Sequence, residues 1–157
     1  MGKSFLHLAV EYAAVQIIQF LLFEAEADPN QLTHNTRMSA LHLAVSRAQP
    51  GLIELLLMCK RTQINLVSDL HGTPLHTACK LGSLKIVQQL LLNNADTQIV
   101  ATDENVLAKD IAADQRIIAL IDRYDQLLLY CQDEPESSMI FSASELGQSS
   151  NEASLEK

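Results

Sequence analysis

The sequence predicts an all-α protein: a solenoid of about four helix-turn-helix units followed by a disordered acidic tail. Three observations lead to this prediction. A short motif, LHxA, recurs at nearly constant spacing. Apolar residues follow it at intervals of three and four, the period of an α-helix. The composition then changes, because residues 132–157 contain six acidic residues and one lysine and so hold −5 of the net charge of −8.

The recurring motif fixes the number of units. Its three copies are SFLHLAV (4–10), SALHLAV (39–45) and TPLHTAC (73–79). The histidines His7, His42 and His76 are therefore 35 and 34 residues apart, and a further 34 residues on Asp110 stands at the same position. A fixed period of this length is typical of stacked repeats. We predict one repeat domain over residues 1–131, with units at about 2–33, 34–68, 69–101 and 102–131, and a separate tail at 132–157.

The third copy shows why each unit should contain two helices. Thr73 can cap a helix by accepting a backbone N–H, and Pro74 suits the first helical position because an N–H there would have no partner. Gly82 is placed to end this helix in a left-handed turn. Ser83 is then expected to cap a second helix, with Asn94 in left-handed conformation at its end. Neither helix can bury its apolar stripe alone, so the units must stack.

These residues resemble the ankyrin repeat family. Its consensus runs G-TPLH-A, a glycine, a V/I-V-x-x-LL helix, then GAD and a projecting β-hairpin. The third copy matches at Gly72, Thr73, Pro74, Leu75, His76, Ala78, Gly82, Ile86, Val87, Leu90, Leu91, Ala95 and Asp96. The resemblance covers most of residues 2–122. It implies short β-hairpin loops between units, and a repeat histidine that hydrogen-bonds the backbone of the hairpin region and ties the units together.

The departures from the consensus lead to further expectations. Residues 25–28 and 60–63 stand at the helix-to-hairpin corners and lack the usual glycine, so we expect those corners to be loose. Pro50 is placed at the start of the second helix of the second unit, where proline is tolerated. The fourth unit is short and lacks TPLH, and its helix over 117–131 is typical of a terminal cap.

Composition excludes several classes of function. No apolar run approaches the ~18 residues of a membrane span, and a net charge of −8 argues against a nucleic-acid partner. The three cysteines form no CxxC pair and no zinc spacing, and no N-glycosylation sequon occurs. We therefore expect an intracellular, cytoplasmic protein.

We predict no catalytic residue, no cofactor and no metal. Equivalent histidines in stacked units would be about 10 Å apart, the spacing of packed helices, which is far beyond a ~2 Å metal–nitrogen bond. Cys79 follows His76 by three residues on a short helix, but a core-facing cysteine gives no open site. No glycine-rich phosphate loop is present either. The sequence therefore gives no support to an enzyme.

The resemblance implies a protein-binding module. In the family the contact surface is the concave side, formed by the hairpin tips and the exposed side of each first helix. Counting from the repeat histidine gives the candidate face: Lys3, Glu11, Tyr12, Asn35, Thr36, Met38, Ser46, Arg47, His71, Lys80, Leu81, Asp103, Glu104 and Asp114. Tyr12, Met38, Arg47 and Leu81 are the expected anchors, because aromatic, Met and Arg side chains dominate many interfaces. The alternative is a localisation or regulatory segment of a larger multidomain protein, such as a lipid-transfer protein or a kinase.

The first unit is unusually apolar for the end of a repeat array. It carries three of the four phenylalanines, Phe5, Phe20 and Phe23, whereas terminal repeats are usually polar on their outer face. Two explanations stay open. Either Phe20 and Phe23 pack inward, or the start of the array is covered by another segment, subunit or partner.

The tail contains one candidate motif. Phe141 is a solitary aromatic residue among small and acidic residues, a pattern typical of short linear motifs. Ser142 has Glu145 three residues on, so an acid-directed kinase could add charge there. The alternatives are a solvated linker, or a Phe141 side chain that folds back on the first unit.

Overall fold

The computed structural model describes residues 2–101 and 105–133. Its regular elements are α1 (Phe5–Glu11), α2 (Val15–Gln19) continued by a π-helical turn (Phe20–Glu24), α3 (Ala40–Ser46), α4 (Pro50–Met58), α5 (Pro74–Leu81), α6 (Leu84–Leu92), α7 (Ala108–Ile111) and α8 (Gln115–Asp133). The chain divides into two compact units of structure, Met1–Asp125 and Gln126–Lys157, and the helix pairs of the repeats lie in the first. The predicted all-α fold of repeated helix pairs is confirmed.

Short turns link the repeats. Ser68 and Gly72 form one isolated antiparallel bridge, and Val100 and Leu107 form another. In the turn before α3, the Thr33 N–H donates to the Met38 carbonyl at 3.0 Å. The expected β-hairpins are therefore reduced to single bridges and turns in the part of the chain that the structure describes.

A reciprocal cap starts each of the first helices in the first three units. In α5 the Thr73 hydroxyl accepts from the His76 N–H at 3.5 Å, while His76 Nδ1 accepts from the Thr73 N–H at 3.2 Å. Ser4 with His7, and Ser39 with His42, repeat this arrangement. Pro74 is the first residue of α5 and Pro50 the first of α4, as predicted.

The fourth unit keeps half of this cap. Asp110 stands at the histidine position, and its carboxylate accepts from the Leu107 N–H at 3.1 Å. Leu107 has no side-chain acceptor to return the bond. The first helix of this unit, α7, is only four residues long.

The first helices end in left-handed backbone in three successive units. Gly82, the predicted stop of α5, has φ +69°. Ala13 and Ala48 occupy the equivalent positions, each six residues after the repeat histidine, and both have φ +51°. An L-residue in this conformation is disfavoured by roughly 1–2 kcal/mol, so the first two units carry a strain that the third avoids.

Two predictions for the second helix of the third unit differ in outcome. Asn94 has φ +62°, which confirms the left-handed residue at the end of α6. Ser83 is the residue before α6, but its side chain makes no capping hydrogen bond, so its predicted capping role is wrong. Its backbone has the extended conformation of a cap residue without the side-chain contact.

Neighbouring repeats share one continuous core. The motif leucine is at most 2% exposed in all three copies, and the motif alanine at most 6%. Helix α1 packs on α3, α3 on α5, and α5 on α7. Burial of these small and branched side chains at every junction explains why the LHxA motif recurs.

A buried histidine joins each repeat to the next. Its Nε2 atom lies 3.0–3.1 Å from a carbonyl oxygen of the following turn, in the pairs His7–Met38, His42–Gly72 and His76–Val106. A carbonyl can only accept, so Nε2 carries the proton and Nδ1 is left to accept from the cap. The bond to the hairpin region that the family resemblance implied is present in all three copies.

The corners expected to be loose are cross-linked. The Arg61 guanidinium donates to the carbonyls of Leu22 and Glu26 at 2.7 and 2.9 Å. Asn30 accepts from the Gln63 N–H at 2.7 Å and donates to the Arg61 carbonyl at 2.7 Å. Arg61 of the second unit thus satisfies two carbonyls near the helix end of the first, while Asn30 of the first unit satisfies two backbone groups of the second.

The π-helical turn accommodates an extra residue in the first unit. From His7 to Ala27 is 20 residues, whereas from His76 to the equivalent Ala95 is 19. The Ala25 N–H donates to the Phe20 carbonyl, five residues back, at 2.9 Å. Such a turn adds one residue to the helix without ending it.

We expect His76→Ala to lower the free energy of unfolding by about 1–3 kcal/mol, because the Val106 carbonyl and the Thr73 N–H lose their partner in a buried setting. The exposed Lys80, on the same helix, is the matched control, and Lys80→Ala should change stability by no more than about 0.5 kcal/mol. Urea unfolding of both variants tests this. Equal midpoints would contradict the structural role of the histidine.

Ala48 and Gly82 occupy equivalent left-handed positions. Exchanging alanine and glycine should therefore change the stability in opposite directions at the two sites. Ala48→Gly should stabilise the chain by about 1 kcal/mol, because glycine adopts positive φ without the clash of a Cβ. Gly82→Ala should destabilise it by a similar amount, and a Cβ at that position meets open space, so the backbone conformation alone sets the cost. Thermal unfolding monitored by circular dichroism measures both. If both substitutions changed the stability in the same direction, the positive φ would not be the cause of the effect.

Stability should fall on mild acidification. Burial lowers the pKa of His42 from 6.5 to about 4, and also lowers the pKa of His7 and His76. The unfolded state therefore binds protons below pH 6.5 that the folded state excludes, and stability is lost as pH falls from 6.5 toward 4. For His42 alone we expect a loss of about 2 kcal/mol between pH 7.5 and pH 5.

Urea unfolding at the two pH values measures this loss. His42→Gln provides the control, because the amide can still donate to the Gly72 carbonyl but does not titrate in this range. The variant should lose less stability on acidification than the parent chain. An identical loss in both proteins would rule out His42 as a source of the acid sensitivity.

Candidate functional site

One row of exposed side chains runs across three repeats. Tyr12, Arg47 and Leu81 each lie five residues after the repeat histidine, at the end of α1, α3 and α5. Tyr12 is 80% exposed and Leu81 47% exposed, and the Arg47 side chain is 39% exposed. Because the first helices pack on one another in order, equivalent positions form a row on one side of the repeats. Three of the four expected anchors are in this row.

An ion-pair chain links the first and second repeats beside this row. Glu11 accepts from the Lys3 ammonium group at 2.6 Å and from the Arg47 guanidinium at 3.1 Å. The hydrogen bond from Lys3, and the charges of Lys3 and Arg47, lower the pKa of the Glu11 carboxyl. The predicted anchor Arg47 is therefore held in position by a residue of the preceding repeat. Its guanidinium is oriented in advance for a further acceptor.

The tip of the turn before α3 forms one side of an open cleft. The cleft has a volume of about 400 Å³, and its lining includes Lys3, Leu8, His34, Asn35 and Thr36. Lys3, Asn35 and Thr36 are members of the candidate face, and the structure brings these three together. Charged, amide and hydroxyl groups at the rim give the cleft hydrogen-bond donors and acceptors, while Leu8 supplies apolar surface.

Other predicted residues also have roles within the fold. The Met38 side chain is half-buried and its carbonyl receives the His7 imidazole, while the Ser46 hydroxyl donates to the Leu43 carbonyl at 2.9 Å. His71 is half-buried in the turn before α5, and Lys80 is exposed on α5.

The predicted face residue of the fourth unit, Asp114, is occupied by a local contact. Its carboxylate lies 2.8 Å from Arg116 Nη2 and accepts from the Arg116 N–H at 2.9 Å, beside the start of α8. These hydrogen bonds from Arg116 lower the pKa of Asp114. Asp103 and Glu104 of the face, and the tail residues Phe141 and Ser142, lie outside the described residues.

Sequence reasoning missed one cross-repeat contact at the turn tips. Arg37 and Asp69 stand on successive turns, with Nε and Oδ2 3.8 Å apart and side chains 56% and 68% exposed. Arg37 has φ +50°, so the backbone projects its side chain from a tight turn. The signal in the sequence was a pair of opposite charges about one repeat apart, which is too weak to choose this pair among others.

The described residues offer no arrangement suited to metal or thiol chemistry. No group of three or more His, Cys, Asp or Glu side chains among them could hold a metal ion. Cys79 is 1% exposed, and burial raises the pKa of its thiol to about 12, which keeps it protonated. No helix within the described ranges combines the length and apolar content needed to cross a lipid bilayer.

Comparison with known proteins identifies relatives over the repeats. A family model described as ankyrin repeats, in three copies, matches residues 6–103. NF-kappa-B inhibitor alpha of Rattus norvegicus and of Mus musculus is 37% identical over 92 residues, which is 57% of this chain and 29% of that protein. Neurogenic locus notch homolog protein 1 of Mus musculus is 32% identical over 99 residues, covering 63% of this chain and 4% of that protein.

A solved structure shares the fold as well as part of the sequence. The ankyrin repeat domain of Bcl-3, described as a unique member of the IkappaB protein family, superposes with a TM-score of 0.73 at 26% identity. The match covers 77% of this chain and 52% of that one. This chain therefore spans about half of that domain and less than a third of the matched curated relatives.

Proposed function

Because this chain belongs to the ankyrin repeat family, whose repeats are protein–protein interaction modules, we propose that it binds a partner protein through the candidate face. The observation that carries the proposal is the row formed by Tyr12, Arg47 and Leu81. An aromatic, a guanidinium and a leucine side chain project from equivalent positions of consecutive repeats. Aromatic and Arg side chains are the types that most often dominate binding energy.

The fold does not need these three side chains for its own core. The motif leucine and alanine fill the junctions between repeats, and both are buried in every copy. The fifth residue after the histidine points away from that core, so its identity can vary without loss of packing. A binding surface on a repeat protein uses positions of this kind.

Charge indicates what the partner should present. Glu11 is already neutralised by two cations, Lys3 and Arg47, so the local balance beside Tyr12 is positive although the whole chain carries −8. A partner that places an acidic group against Arg47 and an apolar side chain between Tyr12 and Leu81 would complement the row. Such pairing would orient the complex more than it would add affinity.

The names of the matched relatives favour a regulatory role. An inhibitor of NF-kappa-B acts on another protein, and in the Notch homologue the matched repeats are a small part of a much longer chain. We propose that this module likewise serves to hold or position a partner, either alone or as a regulatory segment of a larger protein. An intracellular, cytoplasmic setting is part of the proposal, supported by the free buried thiols of Cys59 and Cys79.

We expect combined Tyr12→Ala and Arg47→Ala to weaken the natural partner by more than about 2 kcal/mol, roughly 30-fold in Kd. The Arg47 substitution also breaks an exposed ion pair, which should cost at most about 1 kcal/mol of stability. Isothermal titration with the purified partner, together with a thermal melt of the free variant, separates the two effects.

The matched control uses exposed apolar residues of the second helices. Met58 and Leu92, at the ends of α4 and α6, are 66% and 82% exposed. Met58→Ala combined with Leu92→Ala should leave affinity within about twofold of the parent chain. If this control abolishes binding while the Tyr12 and Arg47 variant binds normally, the partner uses the opposite surface and the assignment is wrong.

A further inference from the structure

The outer side of the first repeat carries an open apolar groove. It has a volume of about 380 Å³, and Phe5, Leu8, Tyr12, Ile17 and Phe20 contribute to its lining. Phe5, Ile17 and Phe20 are 81%, 55% and 59% exposed. We call Phe5, Ile17 and Phe20 the leading face.

This exposure decides between the two explanations offered for the phenylalanines of the first unit. Phe20 is 59% exposed and Phe23 is 48% exposed, so the expectation that both pack inward is wrong. Phe5, Ile17 and Phe20 are therefore among several large side chains of the first helix pair that are exposed. Grouped exposure of this kind indicates a contact surface more than isolated surface hydrophobes do.

The residues equivalent to the leading face are mostly buried in the later repeats. Ten residues after the histidine, Ile17 is 55% exposed, whereas Leu52 and Ile86 are 5% and 2% exposed. Two residues before it, Phe5 is 81% exposed, whereas Ala40 is 0% exposed and Pro74 is buried. Thirteen residues after it, Phe20 is 59% exposed, whereas Leu55 is 7% exposed.

In those later repeats the preceding helix pair packs on α3, α5 and α6. Helix α3 packs on α1, α5 on α3, and α6 on α4. The first repeat has the same fold and, like the second, apolar side chains at all three positions, whereas the third has Gln89 at the last of them. What differs is the absence of a preceding pair among the described residues, so the occupant that matches the leading face is another helix pair of the same kind.

The backbone before α1 is also in register for such a neighbour. The carbonyls that receive an imidazole belong to Met38, Gly72 and Val106, each four residues before the histidine or aspartate position of its own repeat. Lys3 stands four residues before His7. Its carbonyl thus occupies the place that accepts the histidine of a preceding repeat.

We propose that the leading face is the docking site for a further ankyrin-type helix pair, placed ahead of Ser4 in the same array, whose repeat histidine donates to the Lys3 carbonyl. This contact differs from partner binding at the candidate face, and Tyr12, which also lines the groove, is the residue at which the two surfaces meet. One difference sets a requirement on the neighbour. Phe5 is larger than Ala40 or Pro74, so the helix pair that covers it must present small side chains opposite the ring.

A graft tests the proposal. A copy of residues 39–72, which runs from a helix cap to the next accepting carbonyl, is placed directly before Ser4 and replaces residues 1–3. The grafted chain should unfold in one cooperative transition, with a Tm about 5 °C or more above that of the parent chain. A second graft that also carries Phe5→Ala tests whether the Phe5 ring alone prevents close packing.

Substitutions on the leading face provide the matched comparison. Ile17→Gln with Phe20→Gln removes apolar surface from the leading face. In the parent chain the pair should change the Tm by only about 1 °C, because both side chains are exposed, whereas in the graft it should remove most of the gain. The glutamine pair itself leaves every residue of the candidate face unchanged.

Three results would overturn the proposal. The first is a graft, with or without Phe5→Ala, that melts in two separate transitions. The second is a Tm change from the glutamine pair that is the same in parent and graft. The third comes from sedimentation equilibrium of the parent chain: a dimer that the glutamine pair abolishes would make a second copy the occupant. A monomer at all concentrations, with the gain in Tm described above, supports it.

Discussion

The joints between repeats depend on an imidazole that is buried, neutral and bonded at both nitrogens. On one side it accepts from the cap of its own helix, and on the other it donates to the carbonyl that ends the next turn. The start of a short helix and the stacking of its neighbour are therefore fixed by the same ring. A seven- or eight-residue helix would be marginal in isolation, and this coupling makes its formation conditional on the neighbouring repeat.

The same register separates the side chains that form the core from those that face solvent. Leucine and alanine of the motif are directed into the junctions, whereas the residue five positions after the histidine is directed to solvent. We therefore expect substitution at Tyr12, which is 80% exposed, to leave the core intact. Partner choice can vary between family members while the stacking geometry stays constant.

Most of the fold could be predicted because the repeat makes each local signal occur several times. Thr73, Pro74 and Gly82 have the roles that cap and turn chemistry assign them. The misses lie where residue type does not reveal the structure: the turn after α3 has left-handed backbone at Ala48 despite its Cβ, and Arg61 reaches into the preceding repeat to satisfy a corner. On the candidate face, register gives Tyr12, Arg47 and Leu81 equivalent places in successive repeats, but the Lys3–Glu11–Arg47 chain depends on distances between repeats that the sequence does not contain.

The left-handed alanines and the π-helical turn make the repeats unequal in local stability. The third repeat has proline at its first helical position and glycine at its turn, whereas the first has alanine at the turn and an extra residue in its second helix. In an array held by nearest-neighbour contacts, opening starts at the weakest end and folding starts where local preferences agree. We therefore expect folding to start in the third repeat and local opening to start in the first.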